Sequence, residues 1–182
     1  VIIMEHSKPV DSLQSKGIRL ATVPQVRGLP MSQDAKYNSH SKLNCVIACL
    51  QAEQAGADEA LMLDPHGFVA TCNSTQFFIV KNDQVITSTG QYCIDGVTRG
   101  AVLDICRRNG IDHAQTNFSL SDVYSADEAF VTGTFAGLVP VTQIDGRAIG
   151  EHEHGSSNDN RGPMVKRLQG LYQALLDEEC RS

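Results

Sequence analysis

The spacing of hydrophobic positions changes from a helical to a strand period in the first half of the chain. Over residues 43–55, apolar residues recur every three or four positions, which predicts an amphipathic helix. Ser39 or Ser41 is the expected N-cap, and Gly56 the expected residue just past the end. Four short apolar runs separated by turn formers follow, and they predict strands at 59–63, 67–71, 76–80 and 84–88. Strands so short and so close together favour an antiparallel meander.

Helices and strands are also predicted on either side of this region. Residues 17–28 alternate well enough for a strand, and Pro24 favours an edge position for it. The later elements are a helix over 99–108 capped by Thr98 and ended by Asn109-Gly110, a short helix starting at Ser119 or Ser121, strands in EAFVTGT and LVPVTQIDGR, and a helix over 164–176. With no internal repeat and no linker, residues 1–182 are predicted to form one α+β domain.

Composition and charge narrow the function classes. The 182 residues are 41% hydrophobic and 20% charged, as in a soluble globular protein. The formal net charge of −6 offers no basic field for nucleic acid or anionic lipid. No apolar run approaches the roughly 20 residues that span a bilayer. We therefore expect a small-molecule protein in which local donors hold any anionic ligand.

The cysteines indicate the cellular compartment of the protein, and the first residues indicate whether a segment precedes them. The six cysteines include no CxxC pair, and Cys45 and Cys49 share one face of a predicted helix, which suits buried thiols better than a disulfide. This usage predicts a reducing, cytoplasmic location. The apolar start VIIM resembles the end of a strand already in progress, so a preceding segment is expected to be absent from this chain.

Two turns have the composition of phosphate-binding sites. DGVTRG (95–100) leads directly into a helix, whose first N–H groups are free to bind an anion. TGTFAG (132–137) packs two hydroxyls beside flexible glycines between two strands. Either turn alone is usually only a turn. EHEH (151–154) and His66 are interpreted as a solvated loop and a turn residue, not as metal ligands.

Three longer motifs occur in an order that is specific. GADEALMLDPHGFV, CIDGVTRGAV and ADEAFVTGTFAGLVPVTQIDGRAIG strongly resemble the class IV aminotransferases, which use pyridoxal 5′-phosphate. That group includes branched-chain and D-amino-acid aminotransferases and aminodeoxychorismate lyase. The resemblance runs from about Gly17 to Tyr172 and implies a fold-type IV α+β fold. It implies a large C-terminal domain with an antiparallel or mixed pseudo-barrel sheet and packed helices. The family's smaller N-terminal domain is expected to be absent here.

The resemblance also assigns cofactor contacts. The cofactor-binding residues that it implies are Thr71, Ile94, Val97, Thr98, Gly133, Thr134 and Phe135. The backbone N–H groups of Val97 and Thr98 and the Thr134 hydroxyl would bind the phosphate, with help from the Phe135 N–H. Ile94 would pack on the pyridine ring. His40 is a weaker candidate for a contact with the cofactor's 3′ oxygen.

One departure from the family pattern concerns the cofactor's ring nitrogen. The family has a glutamate facing this nitrogen and an asparagine five residues later, whereas this chain has Thr71 and Gln76. A carboxylate keeps the ring nitrogen protonated, so that the ring accepts negative charge from the substrate. A threonine hydroxyl offers only a neutral hydrogen bond. Either the reaction runs with a weaker electron sink, or it is not ordinary transamination.

Two lysines compete for the role of the Schiff-base lysine, which binds the cofactor aldehyde and moves the Cα proton. Lys36 lies 16 positions before Ala52, and Lys42 lies 10 before it. The family spacing is closest to that of Lys36, which needs only a small loop insertion, whereas Lys42 needs a helix shortened by more than a turn. Loops absorb insertions more readily than helices absorb deletions. The sequence therefore predicts Lys36, with Lys42 as the alternative.

The leading functional hypothesis is a pyridoxal-phosphate-dependent aminotransferase that exchanges an amino group between an aliphatic, branched-chain-like amino acid and a 2-oxo acid. An aminodeoxychorismate-lyase-type reaction is the second hypothesis, and a catalytically degenerate relative is the third. The resemblance implies a homodimer, because relatives complete their site with a partner subunit. No nucleic acid or membrane partner is expected.

Overall fold

The computed structural model of the protein describes residues 12–150 and 159–179. Its helices are α1 Leu13–Lys16, α2 Pro30–Gln33, α3 Leu43–Gln54, α4 Val97–Arg108, α5 Leu120–Tyr124 and α6 Pro163–Glu179. Its strands are β1 Ile18–Thr22, β2 Glu59–Leu63, β3 Val69–Cys72, β4 Gln76–Lys81, β5 Gln84–Thr87, β6 His113–Gln115, β7 Glu128–Gly133, β8 Gly137–Ile144 and β9 Arg147–Ala148. The predicted strand at VIIM and the EHEH loop lie outside the described residues.

The described strands form one mixed sheet in the order β3-β2-β1-β8-β7-β4-β5-β6, with β9 added alongside β8. β1 is parallel to both β2 and β8, and β5 is parallel to β6, whereas the other pairs are antiparallel. The prediction of an edge strand at 17–28 was wrong, because β1 lies between two other strands. Pro24 falls after the end of β1, where it interrupts no ladder.

The sheet curls, and this curl brings β3 next to β4. The two strands are consecutive in the chain, yet β2, β1, β8 and β7 separate them in the hydrogen-bonded order. Cys72 N nevertheless donates to Thr75 O at 3.1 Å across the turn that joins them. The predicted four-stranded meander is therefore two antiparallel hairpins, β2–β3 and β4–β5, on opposite sides of the curl. Their approach opens a cavity at the β3–β4 turn.

Strand alternation distributes side chains between two main hydrophobic clusters. On β4, Phe77 and Ile79 belong to the cluster inside the curl, while Phe78 and Val80 pack under α4 and α6. Successive residues of a strand point to opposite faces, so β4 is buried on both sides. Phe78 stacks on Phe130 of β7 with ring centroids 4.8 Å apart. Helices therefore cover the outer face of the sheet, as the predicted fold class required.

Helix α3 packs in a way that its periodicity did not predict. Ala48 and Ala52 are its buried residues and pack against β1 and β2, whereas Leu43, Val46 and Leu50 are exposed. Small alanine side chains let the helix approach the sheet closely, which leaves the bulkier apolar residues on the outer face. Of the apolar positions on which the helix prediction was based, Ala52 is therefore buried as expected, whereas Leu43, Val46 and Leu50 are not.

Helix ends show which capping predictions hold. Gly56 ends α3 with φ +74, as predicted, and Ala57 N donates to Ala52 O at 2.9 Å. Neither Ser39 nor Ser41 caps its start, because Gln33 Nε2 binds Ser39 Oγ and Ser41 O instead.

The other two helix starts differ from each other. The predicted Thr98 cap was also wrong, since α4 begins two residues earlier after Gly96. α5 begins, as predicted, at Ser119, which forms a capping box with Asp122.

Two further sequence predictions can be compared with the described residues. The sequence predicts buried thiols and not disulfides. The described cysteines are all free: Cys45, Cys49, Cys72, Cys93 and Cys106. Within residues 12–150 and 159–179, no helix is long and apolar enough to cross a bilayer.

Candidate active site

A cavity of about 380 Å³ lies where the curled sheet brings β3 next to β4. One wall is the segment from Arg27 to the first turn of α3, and the other is the β3–β4 turn. Ile94 closes the cavity from the loop that precedes α4. Three chain segments far apart in sequence therefore meet around one space of small-molecule size.

The floor of the cavity joins three of the residues singled out from the sequence. The Thr71 hydroxyl, on a residue only 3% exposed, donates to Thr75 O at 2.8 Å and lies 3.3 Å from Gln76 Oε1. Gln76 Nε2 donates in turn to Ile94 O at 3.0 Å. The floor at Thr71 is therefore polar but uncharged.

A buried carboxylate that the sequence analysis missed fixes the β3–β4 turn. Glu59 Oε1 accepts from Ser74 N at 2.8 Å, Ser74 Oγ at 2.7 Å and Thr75 N at 2.8 Å, and Glu59 Oε2 accepts from Thr75 Oγ1 at 2.8 Å. Four donors compensate the burial of this charge. The turn that carries one wall of the cavity is thus held in a single conformation by β2.

The start of α4 has the features of an anion site. The N-cap of α4 is Gly96, which has no side chain to accept a hydrogen bond. The backbone N–H groups of Val97 and Thr98 are therefore not capped by a side chain. Thr98 is 3% exposed, yet its Oγ1 has no hydrogen-bond partner among the described residues. A buried hydroxyl without a partner costs free energy unless a ligand satisfies it.

Arg99, in the same DGVTRG motif, has a structural task. Its Nη2 donates to Ser88 O at 2.7 Å and to Gln115 Oε1 at 2.9 Å, which ties α4 to the strands behind it. The groups at the start of α4 that no described residue binds are thus the Thr98 hydroxyl and the Arg99 Nε, beside the free backbone N–H groups.

The turn between β7 and β8 carries the second predicted anion site. Thr134 and Phe135 are exposed at this turn, and Gly133 packs against the Thr75 side chain. Thr132, just before the turn, is buried, and its Oγ1 also lacks a described partner. Gln76 pairs with Thr132 in the β4–β7 ladder, so this turn adjoins the cavity floor. Thr132 is not among the site residues predicted from the sequence. Its burial follows from the pairing of β7 with β4, which the sequence alone does not reveal.

The two candidate lysines differ in their relation to the cavity. Lys42 lines the cavity and immediately precedes α3, whereas Lys36 is not among the lining residues of the described chain. The Lys36 backbone N–H donates to Asp34 Oδ1 at 3.0 Å, and its side chain belongs to an exposed turn. Lys42 thus lines the cavity with Thr71, Gln76 and Ile94, and so do Ala35 and Tyr37 on either side of Lys36.

The remaining candidates lie outside this arrangement. His40 is exposed and does not line the cavity. The His66 Nε2 atom is 3.3 Å from the Tyr92 hydroxyl. The described residues contain no group of three or more side chains suited to hold a metal ion.

Two buried cysteines near the cavity, Cys72 and Cys93, have raised pKa values. Burial raises the pKa of Cys72 well above the ordinary value for a thiol, and the nearby Glu59 charge raises it further. Burial also raises the pKa of Cys93, although the positive charges of Arg99 and Arg27 oppose that shift. A protonated, buried thiol is a poor nucleophile, so these cysteines belong to the packing and not to the chemistry.

The curled mixed sheet covered by helices on its outer face, with a cavity between β3 and β4, has the architecture of the fold-type IV class. The model of the class IV amino-transferases matches residues 1–144, and the chain belongs to that family.

Similar proteins include a putative branched-chain-amino-acid aminotransferase of Methanocaldococcus jannaschii, with 41% identity over 165 residues, which are 90% of this chain and 54% of the relative. Another is branched-chain-amino-acid aminotransferase-like protein 2 of Arabidopsis thaliana, with 36% identity over 97% of this chain and 30% of the relative.

Solved structures agree with the fold. The branched-chain aminotransferase from the thermophilic archaeon Thermoproteus uzoniensis, solved with norvaline, superposes with a TM-score of 0.81 and 28% identity. That superposition covers 93% of this chain and 54% of the other. The chain thus spans only a third to about half of the length of these relatives.

Proposed function

We propose that this chain is the cofactor-binding domain of a pyridoxal-phosphate-dependent aminotransferase acting on an aliphatic, branched-chain-like amino acid and a 2-oxo acid. The observation that carries the proposal is a pair of buried hydroxyls, Thr98 Oγ1 and Thr132 Oγ1, that have no partner among the described residues. Neither residue lines the cavity, but Thr132 pairs with Gln76, which lines it with Lys42, and Gly96 at the start of α4 lies against the Gln76 side chain. Such groups are usually satisfied, and a phosphate would satisfy them.

The residues fit the cofactor as follows. The N–H groups of Val97 and Thr98 at the start of α4 and the turn with Gly133, Thr134 and Phe135 would hold the phosphate. Ile94 would contact the ring, and Thr71 lies at the floor of the cavity. When bound, pyridoxal phosphate supplies the electron-accepting ring system that labilises the Cα proton of an amino acid.

Lys42 is the lysine that we propose for covalent attachment and for moving the Cα proton. The observation in its favour is that it lines the cavity with Thr71, Gln76 and Ile94. Lys36 stays the prediction from loop spacing. Lys42 immediately precedes α3, so the helix would start directly after the attachment point. Ala48 and Ala52, further along the helix, form its contact with the sheet.

A second candidate reaction is a lyase of the aminodeoxychorismate type, and Thr71 favours it. The neutral Thr71 hydroxyl, committed to Thr75 O, provides no negative charge to keep the cofactor's ring nitrogen protonated. A weaker electron sink suits a reaction with a good leaving group better than one that relies wholly on loss of the Cα proton. A degenerate relative without activity is the third candidate.

The whole protein is proposed to contain a smaller N-terminal domain in addition to this one, and to be a cytoplasmic homodimer. The apolar residues Leu29, Met31 and Tyr37 are exposed close to the cavity, and a covering domain or subunit would bury them. Light scattering on the full-length protein tests this. A monomer with full activity would contradict it.

The proposed function is tested by mixing the holoprotein with leucine, valine, alanine or 4-amino-4-deoxychorismate. Transfer of the amino group to the cofactor, followed by its release to an added 2-oxo acid, supports the aminotransferase. Pyruvate release from aminodeoxychorismate without amino transfer supports the lyase. Cofactor binding without either reaction supports the degenerate relative.

A further inference from the structure

Glu59 is a buried carboxylate whose charge has no cationic partner among the described residues. It is only 6% exposed, and its four hydrogen-bond donors are all neutral groups of Ser74 and Thr75. None of the ion pairs formed by residues 12–150 and 159–179 includes it. Buried carboxylates usually have a cation close by. The negative charge behind the β3–β4 turn is therefore available to a cation that enters the cavity.

The charge of Glu59 acts on β3, the strand that carries Thr71. Burial raises the pKa of Cys72, the residue after Thr71, and the charge of Glu59 raises it further. A negative charge has this effect because it disfavours the thiolate. The same charge favours the protonated form of a base. Its sign is therefore the one that a cationic group at the cavity floor requires.

Hydrogen bonds link this charge to the cavity through Thr71. Glu59 Oε1 accepts from Thr75 N at 2.8 Å, and Thr75 O accepts from the Thr71 hydroxyl at 2.8 Å. The other contact of this hydroxyl, Gln76 Oε1 at 3.3 Å, is also an acceptor. Because the Thr71 proton is used within the protein, the oxygen can offer a ligand only its lone pairs. Thr71 lines the cavity and is therefore an acceptor for a ligand N–H group.

The other charged side chains of the described lining come from the opposite wall. They are Arg27, Asp34 and Lys42, which belong to the segment that leads into α3. On the side of β3 and β4, the lining residues are uncharged. Glu59 is therefore the carboxylate that lies behind this wall of the cavity.

We propose that Glu59 acts through Thr71 on the cofactor, where its buried charge favours the protonated form of the ring nitrogen; this inference rests on the proposed function. Glu59 is a positioning residue, because it touches neither cofactor nor substrate. A charge at longer range favours protonation less than a carboxylate in direct contact does. The electron sink is therefore weaker than with a glutamate at position 71 and stronger than with the Thr71 hydroxyl alone.

The test measures the protonation of the ring nitrogen directly. The holoprotein is prepared with pyridoxal phosphate that carries ¹⁵N in its ring, and the ¹⁵N chemical shift is followed by NMR as the pH is raised. Glu59→Gln should lower the proton affinity of this nitrogen by about tenfold, because the charge is removed. The turn should persist, since the glutamine oxygen still accepts and the Thr75 hydroxyl can accept from the new amide.

Two further variants separate the charge from support of the fold. Glu128→Gln is the matched control, because the Glu128 carboxylate accepts from Met164 N and Val165 N, both at 2.8 Å, and does not line the cavity. It should destabilise the cofactor-free protein towards denaturant and leave the ring nitrogen unchanged. Glu59→Asp keeps the charge on a shorter side chain. It should therefore destabilise the turn but retain most of the proton affinity.

Thr71→Val tests the link itself. Without the hydroxyl, the proton affinity of the ring nitrogen should fall, and Glu59→Gln should have a smaller further effect in this variant than in the wild type. If Glu59→Gln does not fold, Thr71→Val and Glu59→Asp still decide the matter. An unchanged ring nitrogen in Thr71→Val, or a large loss of proton affinity in Glu59→Asp, would then contradict the proposal.

The outcomes for Glu59 and for the proposed function are distinct. Identical titration of the ring nitrogen in the wild type and Glu59→Gln, or equal effects of Glu59→Gln and Glu128→Gln, would overturn the role of Glu59. If the ring nitrogen depends on Glu59 but no amino group is transferred, only the reaction is wrong. If transfer occurs and the titration curves coincide, only the role of Glu59 is wrong. A protein that retains no cofactor would overturn both.

Discussion

The two ends of the candidate site are built in opposite ways. The phosphate end consists of backbone N–H groups at the start of α4 and a tight turn between β7 and β8, both attached to buried strands and helices. The lysine end consists of the segment 34–42, which is exposed and polar, and of side chains on the cavity floor. The phosphate end therefore needs a backbone shape, whereas the lysine end needs particular side chains.

This difference explains where the chain departs from its family pattern. The GVTRG and TGTFAG turns depend on backbone geometry and on small residues, and both are present in family form. The lysine spacing and the glutamate position both differ. A change of side chain on a fixed floor can alter reactivity without altering the fold.

The largest expected effect is at Lys42. Lys42→Ala should abolish covalent attachment of the cofactor and lower turnover by at least about 1,000-fold, because the residue acts as both nucleophile and proton carrier. Lys36→Ala is the matched control and should stay within about threefold of wild type. Borohydride reduction followed by peptide mapping identifies the attached lysine. A label on Lys36 would show that the loop spacing was the better guide than the cavity.

Thr71→Glu asks whether the floor determines the reaction. A carboxylate beside the cofactor's ring nitrogen should raise that nitrogen's pKa by about 1–3 units, and exchange of the substrate Cα proton in deuterated water should become about tenfold faster. The free protein should lose stability, because a buried charge without a partner is costly. Thr71→Gln tests size without charge. Equal exchange rates in the two variants would show that a charge at position 71 does not affect loss of the Cα proton.

Thr98→Val should act in opposite directions on the free and the cofactor-bound protein. Replacing a buried hydroxyl that has no partner should leave the free energy of unfolding of the free protein unchanged or slightly higher. Cofactor affinity should fall by about 1–3 kcal/mol, since one hydrogen bond to a charged phosphate is lost.

Thr87→Val, which loses an existing bond to Phe77 O, should show the reverse pattern. Denaturant unfolding and cofactor titration measure both quantities. A Thr98→Val protein that is less stable without cofactor and binds it normally would contradict the assignment.

The smallest expected effect concerns thiol modification at pH 8. Cofactor should slow alkylation of Cys45, which lines the cavity, by a few-fold and leave the exposed Cys49 unaffected. Cys106 should stay unlabelled, because burial raises its pKa to about 11, so that almost none of it is thiolate at pH 8. Mass spectrometry of timed samples measures each site. Equal protection of Cys45 and Cys49 would indicate a general change and not occupation of the cavity.

Local signals decided which parts of this structure the sequence could predict. Gly56, Asn109-Gly110 and Ser119 are helix boundaries that neighbouring residues determine, and all three were confirmed. The strand at 59–63 was confirmed at the same bounds, because turn formers flank it on both sides. Elements too short for a period, such as β6 and β9, gave no signal.

Site features that depend on distant residues could not be predicted. Glu59 is an ordinary strand residue until β3 curls next to β4, and only then does its carboxylate meet four donors. Arg27 lies in the stretch 17–28 that the sequence predicts to be a strand, and its actual position depends on contacts with Tyr92 and Cys45. The central place of β1 follows from its pairing with β8, more than a hundred residues away. The family resemblance supplied the fold, but not these contacts.

The placement of β1 between β2 and β8 has a consequence for biosynthesis. Thr22 N donates to Asp145 Oδ1 at 2.6 Å across 123 residues, so one side of β1 has no partner until β8 and Asp145 have been made. At about 5–20 residues per second, a ribosome takes about 6 to 25 s to cover that distance. During this interval β1 and β2 expose an unpaired strand edge, which other nascent chains can bind. Until β8 has left the exit tunnel, anything that covers this edge, such as a chaperone, would protect the emerging chain from such contacts.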